Sequence, residues 1–191
     1  MGHINHNTWI ATLARLGRLA RFGAAMLATL VCMHAQAAAP GITGTHFDLS
    51  AEANRITQPD GASVYSWGYG CRTAPAGFSP STIAGANCPS MQIPGPTLIV
   101  KQGDVVTVTL TNNLPAAAGN TSILFPGFQV CAAALNPDGT CPAALTGSPG
   151  LLTREAAHGS TVTYSFVAAT PGTHAYYSGT QGDLQDRKSV V

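Results

Sequence analysis

The sequence predicts an all-β protein, a sandwich or barrel of short antiparallel strands, and three observations carry that expectation. From Gly41 onward apolar residues recur with a period of two, turn signals close each run, and no helical stripe of useful length follows the amino-terminal segment. The 191 residues allow one medium domain, or at a stretch two small ones, and exclude a large multidomain enzyme. Charged residues make up only 9%, against roughly 25% in an average soluble domain, which excludes long solvated helices, coiled coils and charged disordered tails. The hydrophobic fraction of 45% includes 30 alanines, so the core of large side chains is thinner than that fraction implies. A net charge of +1 leaves no electrostatic footprint for nucleic acid. Arg15, Arg18 and Arg21 are the only charged residues before Asp48, so the remainder is mildly acidic, with six basic residues against eight acidic.

Residues 1–38 read as a signal peptide. A basic stretch ends at Arg21, an apolar run extends from Phe22 to Met33, and Ala35-Gln36-Ala37 forms a small-x-small cleavage site, with cleavage expected near Ala37 to Ala39. The run is about 12 residues long, whereas a membrane span needs roughly 20, so no stable span is expected. Val31 argues against a lipid anchor on Cys32, and no adjacent arginine pair points to twin-arginine export. The acid-free, arginine-bearing stretch from Trp9 to Arg21 also suits an organelle transit peptide, the competing reading. Export predicts a periplasmic or secreted location. An even set of four cysteines after the leader, Cys71, Cys88, Cys131 and Cys141, agrees with it and permits three disulfide pairings. The local pairing closes two short loops rich in Gly, Pro and Ala, each bridge contributing on the order of 3 kcal/mol. A zinc or catalytic cluster fails on spacing, with no C-x-x-C and no neighbouring histidine pair.

The strands follow in order. Phe47, Leu49, Ala51 and Ala53 alternate with polar or small neighbours, and Pro59-Asp60-Gly61 turns the chain into Val64-Tyr65-Ser66-Trp67. The segment between Cys71 and Cys88 is too rich in Gly, Pro and Ser for a long element. Pro94-Gly95-Pro96 leads into Thr97 to Val100, and Gln102-Gly103-Asp104 into Val105 to Asn112, the clearest strand. There Val106, Val108 and Leu110 face one way and Val105, Thr107, Thr109 and Thr111 the other. Thr121 to Phe125 is a short strand, Pro137-Asp138-Gly139 turns within the second cysteine loop, and Thr161 to Val167 alternates again. Pro171-Gly172 then introduces a strand over Thr173 to Ser178. No repeat of fixed period and no internal linker divides the chain.

Other chemistries lack their motifs. There is no G-x-S-x-G elbow, no phosphate-cradling glycine loop with a lysine, and no His-Glu-x-x-His. The carboxylates are scattered, and turn capping accounts for Asp60, Asp104 and Asp138. Asn120-Thr121-Ser122 is a formal glycosylation sequon.

Gly95-Pro96-Thr97-Leu98, Gly103 to Val108 and Asn112-Asn113-Leu114, with Thr121-Ser122-Ile123 before Gly127 and Gly172-Thr173 before Tyr176 and Ser178, form an ordered set of motifs. The set resembles the amino-terminal plastocyanin-like (cupredoxin, type 3) domain of the multicopper oxidases, from about Gln92 to Gln185, with a looser extension back to Gly44. The resemblance implies a Greek-key β-sandwich over residues 39–185, copper as the cofactor of the intact enzyme, and further cupredoxin domains of the same parent chain as partners. It also implies oxidation of a phenol, metal ion or similar donor with dioxygen as acceptor. Family members carry His-Trp-His-Gly after Thr-Ser-Ile and Tyr-His-Ser-His after Gly-Thr, which supply histidines to a trinuclear copper cluster. Here those four ligand positions are Leu124, Pro126, Tyr177 and Gly179. An alkyl group, a proline ring and a glycine hydrogen donate nothing to copper, so no copper is expected on this chain alone. Tyr177 is read as a core or interface tyrosine. Of His46, His158 and His174, the last is the weak candidate for a copper contact and is otherwise a solvent-facing strand histidine.

Where family members continue through a Gly-Leu-x-Gly pattern into a buried strand, this sequence reads Asp186 to Val191, a non-matching tail. The expectation is a sandwich lacking its last strand, a piece of a longer oxidase that is inactive alone, with an unpaired edge beside Gly172 to Ser178 that favours association. A stand-alone secreted module binding a partner or carbohydrate through its cysteine loops is the second reading. A small electron-transfer cupredoxin ranks last, for want of ligands.

Overall fold

The computed structural model describes residues 40–81 and 87–180. The expected leader, its cleavage site, Gln181, Gln185 and the 186–191 tail lie outside the described residues. Among the described residues there are eleven short strands and one 3-10 turn, Ala116–Ala118. They are β1 Gly41–Thr43, β2 His46–Thr57, β3 Ser63–Cys71, β4 Gly77–Ser79, β5 Leu98–Ile99, β6 Val105–Asn112, β7 Ile123–Leu124, β8 Ser148–Pro149, β9 Arg154–Glu155, β10 Thr161–Val167 and β11 Tyr177–Ser178.

The main sheet runs β10-β6-β2-β3. β6 pairs antiparallel with β10 and parallel with β2, while β2 pairs antiparallel with β3. The alternation seen in the sequence sets its two faces. Phe47 and Leu49 of β2, Val106, Val108 and Leu110 of β6, and Val162, Tyr164 and Phe166 of β10 are buried, with the intervening threonines of β6 half-exposed. The smaller sheets β4-β1-β5 and β11-β7 contribute Ile42 and Ile123, and Phe125 and Tyr176 flank the latter, all in the same apolar cluster. Two layers closed over one core make this a cupredoxin-like β-sandwich.

A segment next to each disulfide lies along one border of the main sheet. Cys71 is bonded to Cys88 and Cys131 to Cys141. After Cys88 the chain hydrogen-bonds to β3, from Cys71 N–H to Pro89 O at 2.9 Å and from Gln92 N–H to Tyr69 O at 3.1 Å. Glycine permits that approach, because a Cβ on Gly70 would stand 2.2 Å from Pro89 O and one on Gly68 2.5 Å from Gln92 O. Along β10, Cys131 and Ser165 exchange two backbone bonds of 2.8 Å. The Thr146 hydroxyl accepts from Thr163 N–H at 2.8 Å and donates to Thr163 O at 3.1 Å.

The expected turn-capping carboxylates do cap turns: Asp60 accepts from Ala62 N–H at 2.9 Å, Asp104 from Lys101 N–H at 3.1 Å and Asp138 from Thr140 N–H at 2.9 Å. Three expected strands are shorter than their apolar runs. Thr97 to Val100 reduces to β5, Thr121 to Phe125 to β7, and Thr173 to Ser178 to β11. Pro96, Pro126 and Pro171 flank these stretches and have no N–H to continue a ladder.

Candidate functional site

The four positions singled out by the resemblance lie on one ribbon. β7 and β11 pair antiparallel, with Leu124 opposite Tyr177 and Ile123 opposite Ser178. Ile123 and Ser178 are buried, which turns Leu124 and Tyr177 to the opposite face, where both are half-exposed. Pro126 lies just beyond β7, exposed, at the start of a turn in which Phe128 N–H meets Phe125 O at 3.3 Å and Gly127 takes a φ of 91°. Gly179 lies just beyond β11, buried, with its N–H 3.4 Å from Ser122 O. The period-two spacing of each pair on antiparallel strands therefore converges Leu124, Tyr177 and Gly179 locally.

The donor set of this ribbon does not fit a copper ion. Leu124, Pro126 and Gly179 have no side-chain lone pair, and Tyr177 has only a phenol, whereas copper sites use imidazole or thiolate donors in fixed geometry. Cys71, Cys88, Cys131 and Cys141 supply no thiolate, since all four are in disulfides. Among the described residues, no three of His, Cys, Asp and Glu come together where they could hold a metal ion.

The histidines are separate from one another. His158 Nδ1 lies 2.7 Å from Leu114 O, and His46 Nδ1 3.1 Å from the Thr45 hydroxyl. His174 is neither on a strand nor freely solvated. It precedes β11, is half-buried, and packs on Phe128 with ring centroids 4.5 Å apart, its Nε2 3.2 Å from Thr170 O. A Cβ on Gly127 would stand 3.2 Å from its Nδ1. Phe128 draws the ring inward, which the alternation around residue 174 could not indicate.

A cleft of about 200 Å³ opens elsewhere, over the outer face of β2 and β6, and no ribbon residue lines it. His46, Asp48, Thr107 and Thr109 form its floor and Thr73 to Ala76 its wall, with Asp48 paired to Arg72 at 3.1 Å. The sequon asparagine, Asn120, donates to the buried Glu155 carboxylate at 3.1 Å.

The close approach of Leu124 to Gly179 has no signal in the local sequence. A Cβ built on Gly179 would stand 2.6 Å from Leu124 Cγ, 3.0 Å from Leu124 Cδ2 and 3.1 Å from Ser122 Oγ. The two positions are 55 residues apart, so only the cross-strand register exposes the contact.

The chain shares its fold with larger proteins. A solved multi-copper oxidase from Pseudomonas thermotolerans superposes with a TM-score of 0.50 at 20% identity, over 78% of this chain and 28% of that one. A laccase from Botrytis aclada gives a TM-score of 0.49 at 26% identity, over 77% of this chain and 21% of the laccase. The chain thus spans less than half the length of the solved structures it matches, and no curated protein matches its sequence. The model of the multicopper oxidase family matches residues 73–190, a stretch that includes β5, β6, β10 and the β7–β11 ribbon. With well over half of its residues inside that match, and with a cupredoxin-like sandwich around them, the chain belongs to the multicopper oxidase family.

Proposed function

We propose that this chain is the amino-terminal cupredoxin domain of an exported multicopper oxidase, with residues 1–38 as a cleaved leader, residues 39–185 as the domain and residues 186–191 outside it. It acts in the periplasm or outside the cell as a copper-free scaffold that packs against further cupredoxin domains of the same parent chain. Copper in the intact enzyme would oxidise a phenol, metal ion or similar donor and reduce dioxygen to water. Leu124, Pro126, Tyr177 and Gly179 replace the ligands that the family carries at these positions, and the chain by itself is inactive as an oxidase.

The observation that supports this reading is the β7–β11 ribbon, in which Leu124 is paired with Tyr177, two of the positions that the resemblance assigns to copper-binding histidines. The short span of the chain relative to the matched structures supports the presence of other domains. The reading is tested on the encoding DNA and on the protein together. The expected outcome is a continuing frame with His-x-His and Cys-His motifs, and a purified 191-residue chain that gains no stoichiometric copper signal in absorption or electron spin resonance. A genuine stop after Val191 would overturn the domain reading in favour of a stand-alone module, and a blue or type 2 signal at one copper per chain would overturn the scaffold reading.

A further inference from the structure

We infer that Leu124 and Gly179 are an interlocked pair, so that this ribbon has become a packing contact and cannot regain a metal-binding side chain at residue 179 by substitution there alone. Gly179 is buried, and its φ lies outside the left-handed range, so its backbone would accept any residue. What excludes a side chain is the space. The 2.6 Å between a Cβ at residue 179 and Leu124 Cγ is closer than van der Waals contact allows, and Cγ moves only if Leu124 changes its χ1 rotamer. On the other side Ser122 Oγ is 2.9 Å from the Thr180 hydroxyl, which restrains it from yielding. Pairing with Tyr177 fixes the Leu124 backbone in turn. Leucine thus fills the volume that glycine vacates, and each residue is tolerated because of the other.

The steric part of this inference stands on the ribbon's geometry alone, and only its relevance to copper rests on the ligand reading above. Two measurements on the full chain separate them. In the first, thermal unfolding compares Gly179→Ala, Leu124→Ala and the double variant. Gly179→Ala alone is expected to lower the midpoint by about 5 to 10 °C, the usual effect of one overpacked methyl in a domain of this size. In Leu124→Ala the same substitution is expected to cost little, because the obstructing Cγ is gone. Should Gly179→Ala fail to fold while the double variant folds, the interlock is supported. Equal losses in both backgrounds, or failure of both to fold, would overturn it.

In the second measurement, copper(II) is titrated into Gly179→His and into the variant carrying histidine at residues 124, 126, 177 and 179, followed by electron spin resonance and by the unfolding midpoint. The single variant is expected to be destabilised and to bind no stoichiometric copper, and the fourfold variant to gain a type 2 signal. A stable Gly179→His chain that holds copper would overturn the interlock. A fourfold variant that folds and binds nothing, with the alanine coupling present, would overturn only the equivalence of these positions with the family's ligands.

Discussion

Tyr164 carries a phenol into the core, fully buried. Its hydroxyl donates to Arg154 O at 2.6 Å and accepts from Ile123 N–H at 3.3 Å. Burial raises its pKa well above the ordinary tyrosine value, against the lowering effect of the Ile123 hydrogen bond, with the Tyr69 and Glu155 charges adding to the rise. Replacing it with phenylalanine keeps the ring contact with Phe125 and orphans two buried backbone groups, so Tyr164→Phe is expected to cost about 1 to 3 kcal/mol in urea unfolding. A change within about half a kcal/mol would mean that those groups find other partners. Asp138 shows the exposed counterpart: hydrogen bonds from the Thr140 hydroxyl and then from its N–H hold the carboxyl below its usual range. Its turn role was legible from Pro137-Asp138-Gly139, because that chemistry is local. Tyr164's was not, since its partners lie on other segments.

Among the elements, legibility follows length and pattern. β6 and β10 occupy the residues expected of them, Val105–Asn112 and Thr161–Val167, because alternate residues of each are apolar and turn into the core. β1, β4, β8 and β9 have two or three residues each, too few to display a period, and β1 and β4 also depend on partners distant in sequence. The candidate site divides in the same way. The ordered motifs locate Leu124, Pro126, Tyr177 and Gly179, while the contact of Leu124 with residue 179 and of His174 with Phe128 arises only in three dimensions. The second disulfide permits a test at this scale. Replacing Cys131 and Cys141 by alanine frees a loop of sequence separation 10, at a cost of about 3 kcal/mol by loop-closure reasoning. Because that loop covers β10, the variant is also expected to self-associate in sedimentation, and a variant that is equally stable and monomeric would count against the loop as a cover.

For the whole molecule, the buried tyrosines set the alkaline limit of stability. Burial raises Tyr176 as well as Tyr164, and the Tyr176 hydroxyl donates to Pro96 O at 2.7 Å. In the unfolded chain both phenols ionise near pH 10, whereas the folded chain retains their protons to higher pH. The folded state then binds more protons than the unfolded one, so the stability is fully present below about pH 10 and falls as the pH rises further. The urea midpoint is expected to decline above about pH 10, and to decline less in a Tyr164→Phe, Tyr176→Phe double variant. A midpoint that stays level to about pH 12 would contradict this linkage.

The loops along β3 and β10 bear on how the molecule can meet anything else. Where Tyr69 and Cys71 on one margin and Thr163 and Ser165 on the other already hold hydrogen bonds, a neighbouring polypeptide cannot lengthen the main sheet by adding a strand of its own. Attachment there must be made through side chains, which discriminate by shape and charge, so the arrangement favours a dedicated companion over indiscriminate self-stacking.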